Sequence, residues 1–121
     1  MVVVSGPPLP ALVVEDDEGL RAFLVAELEE MGYRVIAAST GEEAIDLLHR
    51  ESTRLAVLDI GLPGIDGFGV ADHLGSDVPV IFVTGDPVDA YARAYGREFR
   101  YQVLPKPFQA DLFQHAVRSS A

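Results

Sequence analysis

The chain has 121 residues, of which 49% are hydrophobic, and it carries a formal net charge of −10 with no cysteine. These values predict one globular domain with its own hydrophobic core, and the lack of cysteine excludes disulfides and thiolate metal sites. The negative charge argues against direct contact with nucleic acid, because a phosphate backbone attracts a basic surface.

Residues 1–10 contain three prolines and no basic residue. They lack the basic start of a signal peptide, so we interpret them as a flexible tail ahead of a single domain at residues 11–121. No linker or repeat divides that domain, and no second domain is expected after it. Because cysteine is absent and no apolar run is long enough to cross a bilayer, we expect a cytoplasmic protein without membrane contact.

Five short apolar runs, rich in Val and Ile, lack a regular alternation with polar residues. They occupy residues 11–14, 34–38, 55–58, 80–83 and 101–104. Such runs are typical of parallel strands that are covered on both faces.

Segments with helical periodicity follow each run, within residues 18–32, 40–52, 67–75, 86–99 and 108–120. Thr40, with Glu43 three residues later, predicts a capping box, and Asp86 before Pro87 predicts another helix start. The third segment carries three glycines, which predicts a short helix.

In the last helical segment, Leu112 and Ala116 are predicted to face the core, with Phe113 as a further candidate. The alternation of strand and helix, repeated five times, predicts a doubly wound α/β domain. Its sheet is expected to be parallel, with right-handed crossovers.

Polar side chains follow four of the five predicted strands, at the point where each strand ends. The carboxyl ends of parallel strands meet at one edge of a sheet, and ligands bind there. Each residue alone has an ordinary explanation as a helix cap, a turn residue or a solvated loop charge. Together they predict a site built from Glu15, Asp16, Asp17, Asp59, Thr84 and Lys106, the only lysine in the chain.

This mixture of groups indicates Mg²⁺-dependent phosphoryl transfer. Clustered carboxylates repel one another unless a cation neutralises them, and an all-oxygen ligand set favours Mg²⁺. A carboxylate such as Asp59 is also a nucleophile toward phosphorus. Lys106 and the Thr84 hydroxyl supply charge and hydrogen bonds for the transferred group. The sequence offers no dedicated general base, so the phosphoryl donor is expected to arrive activated.

Four motifs, "LVVEDD", "LDIGLPGIDG", "VTGD" and "LPKPF", occur in this order. On these motifs, residues 12–117 resemble the receiver domain of bacterial response regulators, the phosphoacceptors of two-component signalling. The resemblance implies a flavodoxin-like (βα)5 fold with strand order 2-1-3-4-5. It also implies that Asp59 accepts a phosphoryl group from a histidine kinase or a phosphotransfer protein. The chain is similar, in addition, to stand-alone response regulators of a single domain.

The same resemblance implies a set of metal ligands. Asp16 is expected to ligate Mg²⁺ directly and Glu15 through water. Asp59 and the backbone carbonyl of Gly61 complete the expected set. The alternative in which Asp16 and Asp17 form the acidic pair stays open.

Thr84 is expected to follow the phosphoryl group and Lys106 to pair with it, and the Lys106–Pro107 bond is expected to be cis. Similar domains carry a tyrosine or phenylalanine three residues before the lysine, where this chain has Val103. Tyr101 lies on the same predicted strand face, but the usual aromatic switch is in doubt.

Output is expected through protein contact on the face formed by the fourth helix, the last strand and the last helix. Residues predicted to cluster there are Tyr91, Tyr95, Arg93, Arg97 and Arg100. The partner is an unspecified downstream protein, and a homodimer is a further possibility. The domain is not expected to be an enzyme, although it would catalyse its own phosphorylation and dephosphorylation. No ligand role is expected for the surface histidines His49, His73 and His115.

Two alternatives stay open. A small phosphatase of the haloacid dehalogenase kind also uses an aspartate nucleophile and Mg²⁺. Such an enzyme, however, carries its nucleophile in a D-x-D motif on the first strand, whereas Asp59 follows the third. A pseudo-receiver would bind partners without being phosphorylated, and the complete set of site residues argues against it.

Overall fold

A computed structural model describes residues 7–97 and 100–120 of the chain. The strands are β1 (Pro10–Val14), β2 (Arg34–Ala38), β3 (Leu55–Asp59), β4 (Val80–Thr84) and β5 (Tyr101–Pro105). The helices are α1 (Glu18–Glu30), α2 (Gly41–Leu48), α3 (Gly67–Ala71), α4 (Pro87–Ala94) and α5 (Ala110–Ser120). The strands form one parallel sheet in the order β2-β1-β3-β4-β5. The predicted flavodoxin-like (βα)5 fold is confirmed.

The boundary between the predicted tail and the first strand lies at Pro10. Residues 1–6 of the predicted tail lie outside the described residues, and Pro10 is already the first residue of β1. A strand tolerates proline at its first position, where no ladder donor is required. Pro10 still contributes its carbonyl, which accepts the N–H of Arg54 at 2.9 Å.

The sheet separates two hydrophobic layers, because alternate strand residues point to opposite faces. Leu12 and Phe82 lie on the face covered by α2, α3 and α4. Val13 and Val57 lie on the face covered by α1 and α5. Burying one such side chain stabilises the fold by about 1.5–3 kcal/mol, so the central strands contribute much of the stability. Within the described residues, no helix has the length and apolar character needed to cross a membrane.

Helix starts follow the predicted caps. Thr40 Oγ1 accepts the Glu43 N–H at 3.1 Å, and Glu43 in turn accepts the N–H of Ser39, one residue before the cap. Asp86 Oδ1 accepts the Asp89 N–H at 3.1 Å and begins α4. The third helix has five residues, which confirms the prediction of a short helix.

The last helix buries two of its three predicted inward residues and exposes the third. Leu112 is 48% exposed, whereas Phe113, Ala116 and Val117 are buried. The Phe113 ring packs against Phe108 at 6.1 Å. Since each residue turns a helix by about 100°, Leu112 lies beside Ala116 at the border of the inward stripe, on the side away from Val117. The prediction for Leu112 is therefore wrong, and those for Phe113 and Ala116 are confirmed.

Candidate functional site

Two acidic residues end neighbouring strands at the centre of the sheet. β1 lies beside β3 with Val14 opposite Leu58, so Glu15 and Asp59 emerge next to each other. The order 2-1-3 also makes this the point where chain connections diverge, and doubly wound sheets bind ligands there. Glu15 is 0% exposed and Asp59 is 4% exposed. Two carboxylates held out of water side by side require a positive partner.

Lys106 supplies positive charge to both carboxylates. Its backbone N–H donates to the Thr84 carbonyl at 2.7 Å, which ties the loop after β5 to the end of β4. Its Nζ lies 3.0 Å from Glu15 Oε1 and 3.4 Å from Asp59 Oδ1. Burial works to lower the pKa of Lys106, but the two carboxylates outweigh it and raise the pKa above its ordinary value. The Lys106–Pro107 bond is cis, as expected.

The two oxygens of Glu15 have different partners. Its Oε2 accepts the Asp17 N–H at 3.1 Å. Its Oε1 pairs with the Lys106 ammonium group at 3.0 Å and has no further partner among the described residues. Burial raises the pKa of Glu15 to about 7, against the lowering effects of the Asp17 N–H and Lys106. A buried, incompletely satisfied oxygen beside other carboxylates is well suited to bind a cation.

Asp16 is the third carboxylate of the cluster. One oxygen from each of Glu15, Asp16 and Asp59 lies within 4.8 Å of the others. Asp17 instead caps α1, since its Oδ2 accepts the Leu20 N–H at 2.7 Å. Burial opposes the shift, but hydrogen bonds with Glu15 and Asp59 lower the pKa of Asp16. The structure therefore brings Glu15 and Asp16 together at Asp59 and engages Asp17 elsewhere.

Backbone and hydroxyl groups surround the Asp59 carboxylate. The Gly61 N–H donates to Asp59 Oδ1 at 3.0 Å, so the loop after β3 turns back over the carboxylate. Thr84 is 6% exposed at the end of the neighbouring strand, and its Oγ1 accepts the Asp86 N–H at 2.9 Å. A hydroxyl that accepts in this way can still donate its own hydrogen. These groups can hold an anion that is attached to Asp59.

The structure divides the predicted cluster of aromatic and basic residues on α4. The rings of Tyr91 and Tyr101 lie 6.4 Å apart, on the side of the helix toward β5. Arg93 and Arg97 lie on the other side, over the ring of Phe68 in α3. Successive residues of a helix are about 100° apart, so Tyr91 and Arg93 flank the buried stripe from opposite sides. Grouping the two arginines with the tyrosines was wrong.

The other singled-out residues lie apart from the carboxylate cluster. Arg100 donates to the Ser120 carbonyl at 3.1 Å, near the amino-terminal edge of the sheet, and so does not join the tyrosines of α4. Tyr101 and Val103 pack on the same face of the sheet, as predicted. The histidines are exposed, as predicted, at His49, His73 and His115.

The contact between α3 and α4 was missed by the sequence analysis. Arg93 pairs with Asp66 at 2.5 Å, and Arg97 pairs with Asp72 at 2.7 Å. One signal was present for Arg93, because it follows Ala90 of the buried stripe by three residues and so lies beside that stripe. Arg97 lies three residues beyond the end of α4, where helical spacing gives no such signal. The partner carboxylates were not recognisable without the position of α3.

The five parallel strands in the order 2-1-3-4-5, with five helices, are those of flavodoxin-like receiver domains. The model of the response regulator receiver domain matches residues 11–118, and the chain belongs to this family. This result contradicts the alternative of a haloacid dehalogenase-like phosphatase. The position of Asp59 at the end of the third strand agrees with that correction.

Two curated relatives are named as regulators of transcription. The probable transcriptional regulator ycf27 of Guillardia theta is 43% identical over 113 residues, which cover 89% of this chain and 43% of that protein. The transcriptional regulatory protein AfsQ1 of Streptomyces coelicolor is 34% identical over 112 residues, covering 89% of this chain and 49% of that protein. The chain thus spans about half the length of the curated relatives it matches.

Two solved structures share the fold. The response regulator TrrA of Thermotoga maritima, in complex with Mg²⁺–BeF, is 28% identical, with a TM-score of 0.79 over 93% of this chain and 99% of that chain. The receiver domain of the sensor histidine kinase PA1611 of Pseudomonas aeruginosa has a magnesium ion coordinated in its active-site cleft. It is 24% identical, with a TM-score of 0.78 over 93% of this chain and 96% of that chain, and shows the fold alone.

Proposed function

We propose that residues 11–121 form a phosphorylation-dependent signalling switch. In this proposal a histidine kinase or phosphotransfer protein donates a phosphoryl group to Asp59 in a Mg²⁺-dependent reaction. The observation that carries it is the grouping of Glu15, Asp16 and Asp59 within 4.8 Å, with Lys106 Nζ 3.4 Å from Asp59 Oδ1. Family membership supports the same reading.

The residues of the site fit a hard divalent cation. Glu15 Oε1 is buried, with Lys106 Nζ at 3.0 Å as its one partner among the described residues, and every ligand atom that the cluster offers is an oxygen. We assign Asp16, Asp59 and the Gly61 carbonyl as direct ligands of Mg²⁺, with Glu15 acting through water. When bound, Mg²⁺ supplies positive charge to the carboxylates and to the transferred phosphoryl oxygens. The response regulator TrrA, solved in complex with Mg²⁺–BeF, supports the choice of metal.

In the proposed transfer, an oxygen of Asp59 attacks the phosphorus of a phosphohistidine. The new O–P bond forms as the P–N bond breaks, and the imidazole nitrogen keeps the electron pair and takes a proton from water. The Gly61 N–H and Lys106 hold the carboxylate beforehand, so the reaction needs positioning and charge rather than a general base. Attack by water on the acyl phosphate would reverse the modification.

The change in charge at Asp59 is the proposed origin of the signal. A phosphoryl group brings close to two negative charges. Lys106 and the Thr84 O–H would turn toward it, and Thr84 would release the Asp86 N–H that it now accepts. Because Asp86 caps α4, this exchange would move the start of that helix.

We propose that α4, β5 and α5 form the output face. Val88, Tyr91 and Tyr95 are 79%, 54% and 89% exposed, at spacings of three and four residues. A protein partner or a second copy of the chain would cover them. With a net charge of −10, the chain is not proposed to contact nucleic acid directly.

Intact-protein mass spectrometry tests the phosphoacceptor. After incubation with acetyl phosphate and Mg²⁺, the wild type should gain one phosphoryl group and Asp59→Asn should gain none. Asp46→Asn, an exposed carboxylate on α2, is the matched control and should react like the wild type. Failure of the wild type with both acetyl phosphate and a phosphorylated histidine phosphotransfer protein would overturn the proposal in favour of a pseudo-receiver.

The output face is tested separately. Tyr95→Ala should leave the mass gain unchanged, because this side chain is 89% exposed and caps the carboxyl end of α4, apart from the carboxylate cluster. Sedimentation velocity of the phosphorylated wild type and variant reports any homodimer. Loss of phosphorylation in Tyr95→Ala would contradict the proposal that the output face is separate from the phosphorylation site.

A further inference from the structure

We propose that a contact between α3 and α4 restrains α4 in its unphosphorylated position. The α3–α4 contact consists of Asp66, Phe68, Asp72, Arg93 and Arg97. Its part in signalling rests on the proposed function, whereas the restraint itself can be measured without phosphorylation.

The fourth helix has little apolar attachment to the sheet. Only Ala90 and Ala94 are buried among its eight residues, whereas α1 buries Leu24 and Leu28. Each alanine brings a single methyl group, so the hydrophobic attachment of α4 is small. A helix with few buried apolar groups belongs to the less stable part of a fold, and polar contacts decide its position.

The α3–α4 contact supplies such polar attachment. Arg93 and Arg97 pair with Asp66 and Asp72, and both guanidinium carbons lie over the Phe68 ring, 4.5 and 4.9 Å from its centre. Two cations over one ring repel each other unless carboxylates neutralise them. The four charged groups therefore act together, and the loss of one weakens the others.

Asp66 connects this contact to the phosphoacceptor loop. Its Oδ1 accepts the Gly69 N–H at 3.0 Å and begins α3, while its Oδ2 binds Arg93. The next residue, Gly67, packs so closely that a Cβ there would lie 2.6 Å from the Asp59 carbonyl oxygen. Backbone movement at Asp59 therefore reaches the carboxylate that holds α4.

The fourth helix is thus attached at two places. Its start depends on the bond from the Asp86 N–H to Thr84 Oγ1, which phosphorylation would release. Its second turn depends on the α3–α4 contact, which that step leaves in place. The strength of this second attachment sets how far the population of α4 positions shifts. Because Arg93 and Asp66 are 39% and 30% exposed, salt should weaken it.

Hydrogen–deuterium exchange of the unphosphorylated protein tests the restraint. The double variant Arg93→Gln/Arg97→Gln should speed exchange in α4 by about tenfold and leave α1 within about twofold of the wild type. Arg34→Gln is the matched control, since it breaks the 2.8 Å Arg34–Glu51 pair at another surface, and α4 should not respond.

Charge reversal gives a second test. Arg97→Asp alone should speed exchange in α4, and adding Asp72→Arg should restore most of the lost protection. Unchanged α4 exchange in the double glutamine variant overturns the proposal. Equal acceleration of all helices also overturns it, because that pattern shows general destabilisation.

The two proposals fail in distinguishable ways. If the chain gains a phosphoryl group but hydrogen exchange in α4 is unchanged by the arginine substitutions, only the proposal of the restraint is wrong. If α4 exchange responds but no donor phosphorylates Asp59, the restraint stands and the phosphoacceptor proposal is wrong. If both hold, phosphorylation should speed α4 exchange more in the double variant than in the wild type, because in the variant no second attachment holds the helix when the Asp86–Thr84 bond is released.

Discussion

Glu15 and Lys106 show how burial determines the chemistry of single residues at this site. The Glu15 carboxyl has no exposed surface, and its pKa is raised to about 7 by burial. Lys106 lies 3.0 Å from it and keeps its proton, because the carboxylates raise the pKa of the lysine further. A divalent cation entering the site would compete with the proton on Glu15.

The raised pKa of Glu15 predicts how the stability of the metal-free protein depends on pH. The unfolded chain loses the Glu15 proton near its ordinary pKa of 4.5, whereas the metal-free folded protein keeps it to about 7. The free energy of unfolding should therefore fall as pH rises from 4.5 to 7, by on the order of 3 kcal/mol from this group. Urea denaturation in EDTA across this range measures it.

Two controls accompany the pH series. Glu15→Gln should flatten the profile, because the titrating group is gone. The lowered pKa of Asp16 acts in the opposite direction but below its ordinary value of 3.8, outside this window. A free energy of unfolding that rises between pH 4.5 and 7 in EDTA would contradict the assignment.

Gly67 is a second residue whose surroundings leave little freedom. A Cβ there would lie 2.6 Å from the Asp59 carbonyl oxygen and 3.1 Å from its carbon, and neither backbone atom can move alone. Gly67→Ala should cost about 1–3 kcal/mol in urea denaturation. Gly85→Ala is the control, since a Cβ there meets no described atom within 4 Å. Equal stability of the two variants would show that the loop after β3 adapts freely.

At the scale of elements, α5 shows that the position of a residue on the helix, and not its type, determines whether it is buried. Leu112 and Phe113 are adjacent and both large, yet one is 48% exposed and the other is 0% exposed. Phe113→Ala should cost about 3–5 kcal/mol, because it leaves a cavity beside Phe108. Leu112→Ala should change stability by less than about 1 kcal/mol. Thermal or urea denaturation of the two variants measures the two losses of stability. A larger loss in Leu112→Ala than in Phe113→Ala would show that Leu112 faces the core.

The two helices nearest the proposed output differ in how they are held. The fifth helix buries one stripe that contains Phe113 and Val117. The fourth buries only two alanines and depends on charged partners. Hydrophobic burial is largely insensitive to salt, whereas exposed ion pairs are screened. Of these two helices, we therefore expect the fourth to be displaced more readily by a change of charge at the site.

At the scale of the molecule, the net charge is −10. We therefore expect a bound cation to stabilise the folded protein as well as to take part in its chemistry. Mg²⁺ at a hundred times its dissociation constant should stabilise the fold by about 2.7 kcal/mol. The melting temperature should rise by on the order of 5–10 °C. Calorimetry at constant ionic strength, with NaCl replacing MgCl₂, separates site binding from screening.

Asp59→Asn should remove most of this increase, because it deletes one of three clustered carboxylates. Asp46→Asn should retain the increase, since that carboxylate is exposed on α2. An equal response of both variants would place the bound cation elsewhere on the acidic surface.

The amino-acid sequence alone determined the strands and the edge at which the polar groups meet, and its resemblance to receiver domains implied the strand order. Buried parallel strands have a recognisable composition, and side chains that follow strand ends share one edge by geometry. The identities of Glu15, Asp16, Asp59, Thr84 and Lys106 as site candidates follow from that reasoning. What the sequence left open was which acidic residue caps α1, and the hydrogen bond from the Leu20 N–H to Asp17 decided it.

Only the tertiary structure decided the inward face of α5 and the partners of Arg93 and Arg97. Both depend on the rotation of a helix about its axis, where an error of one residue turns a side chain by about 100°. A helix with only two to four buried positions fits more than one rotation, and packing against Phe108 or Phe68 selects one. The link between α3 and α4 joins residues more than twenty positions apart, so no local pattern in the chain could show it.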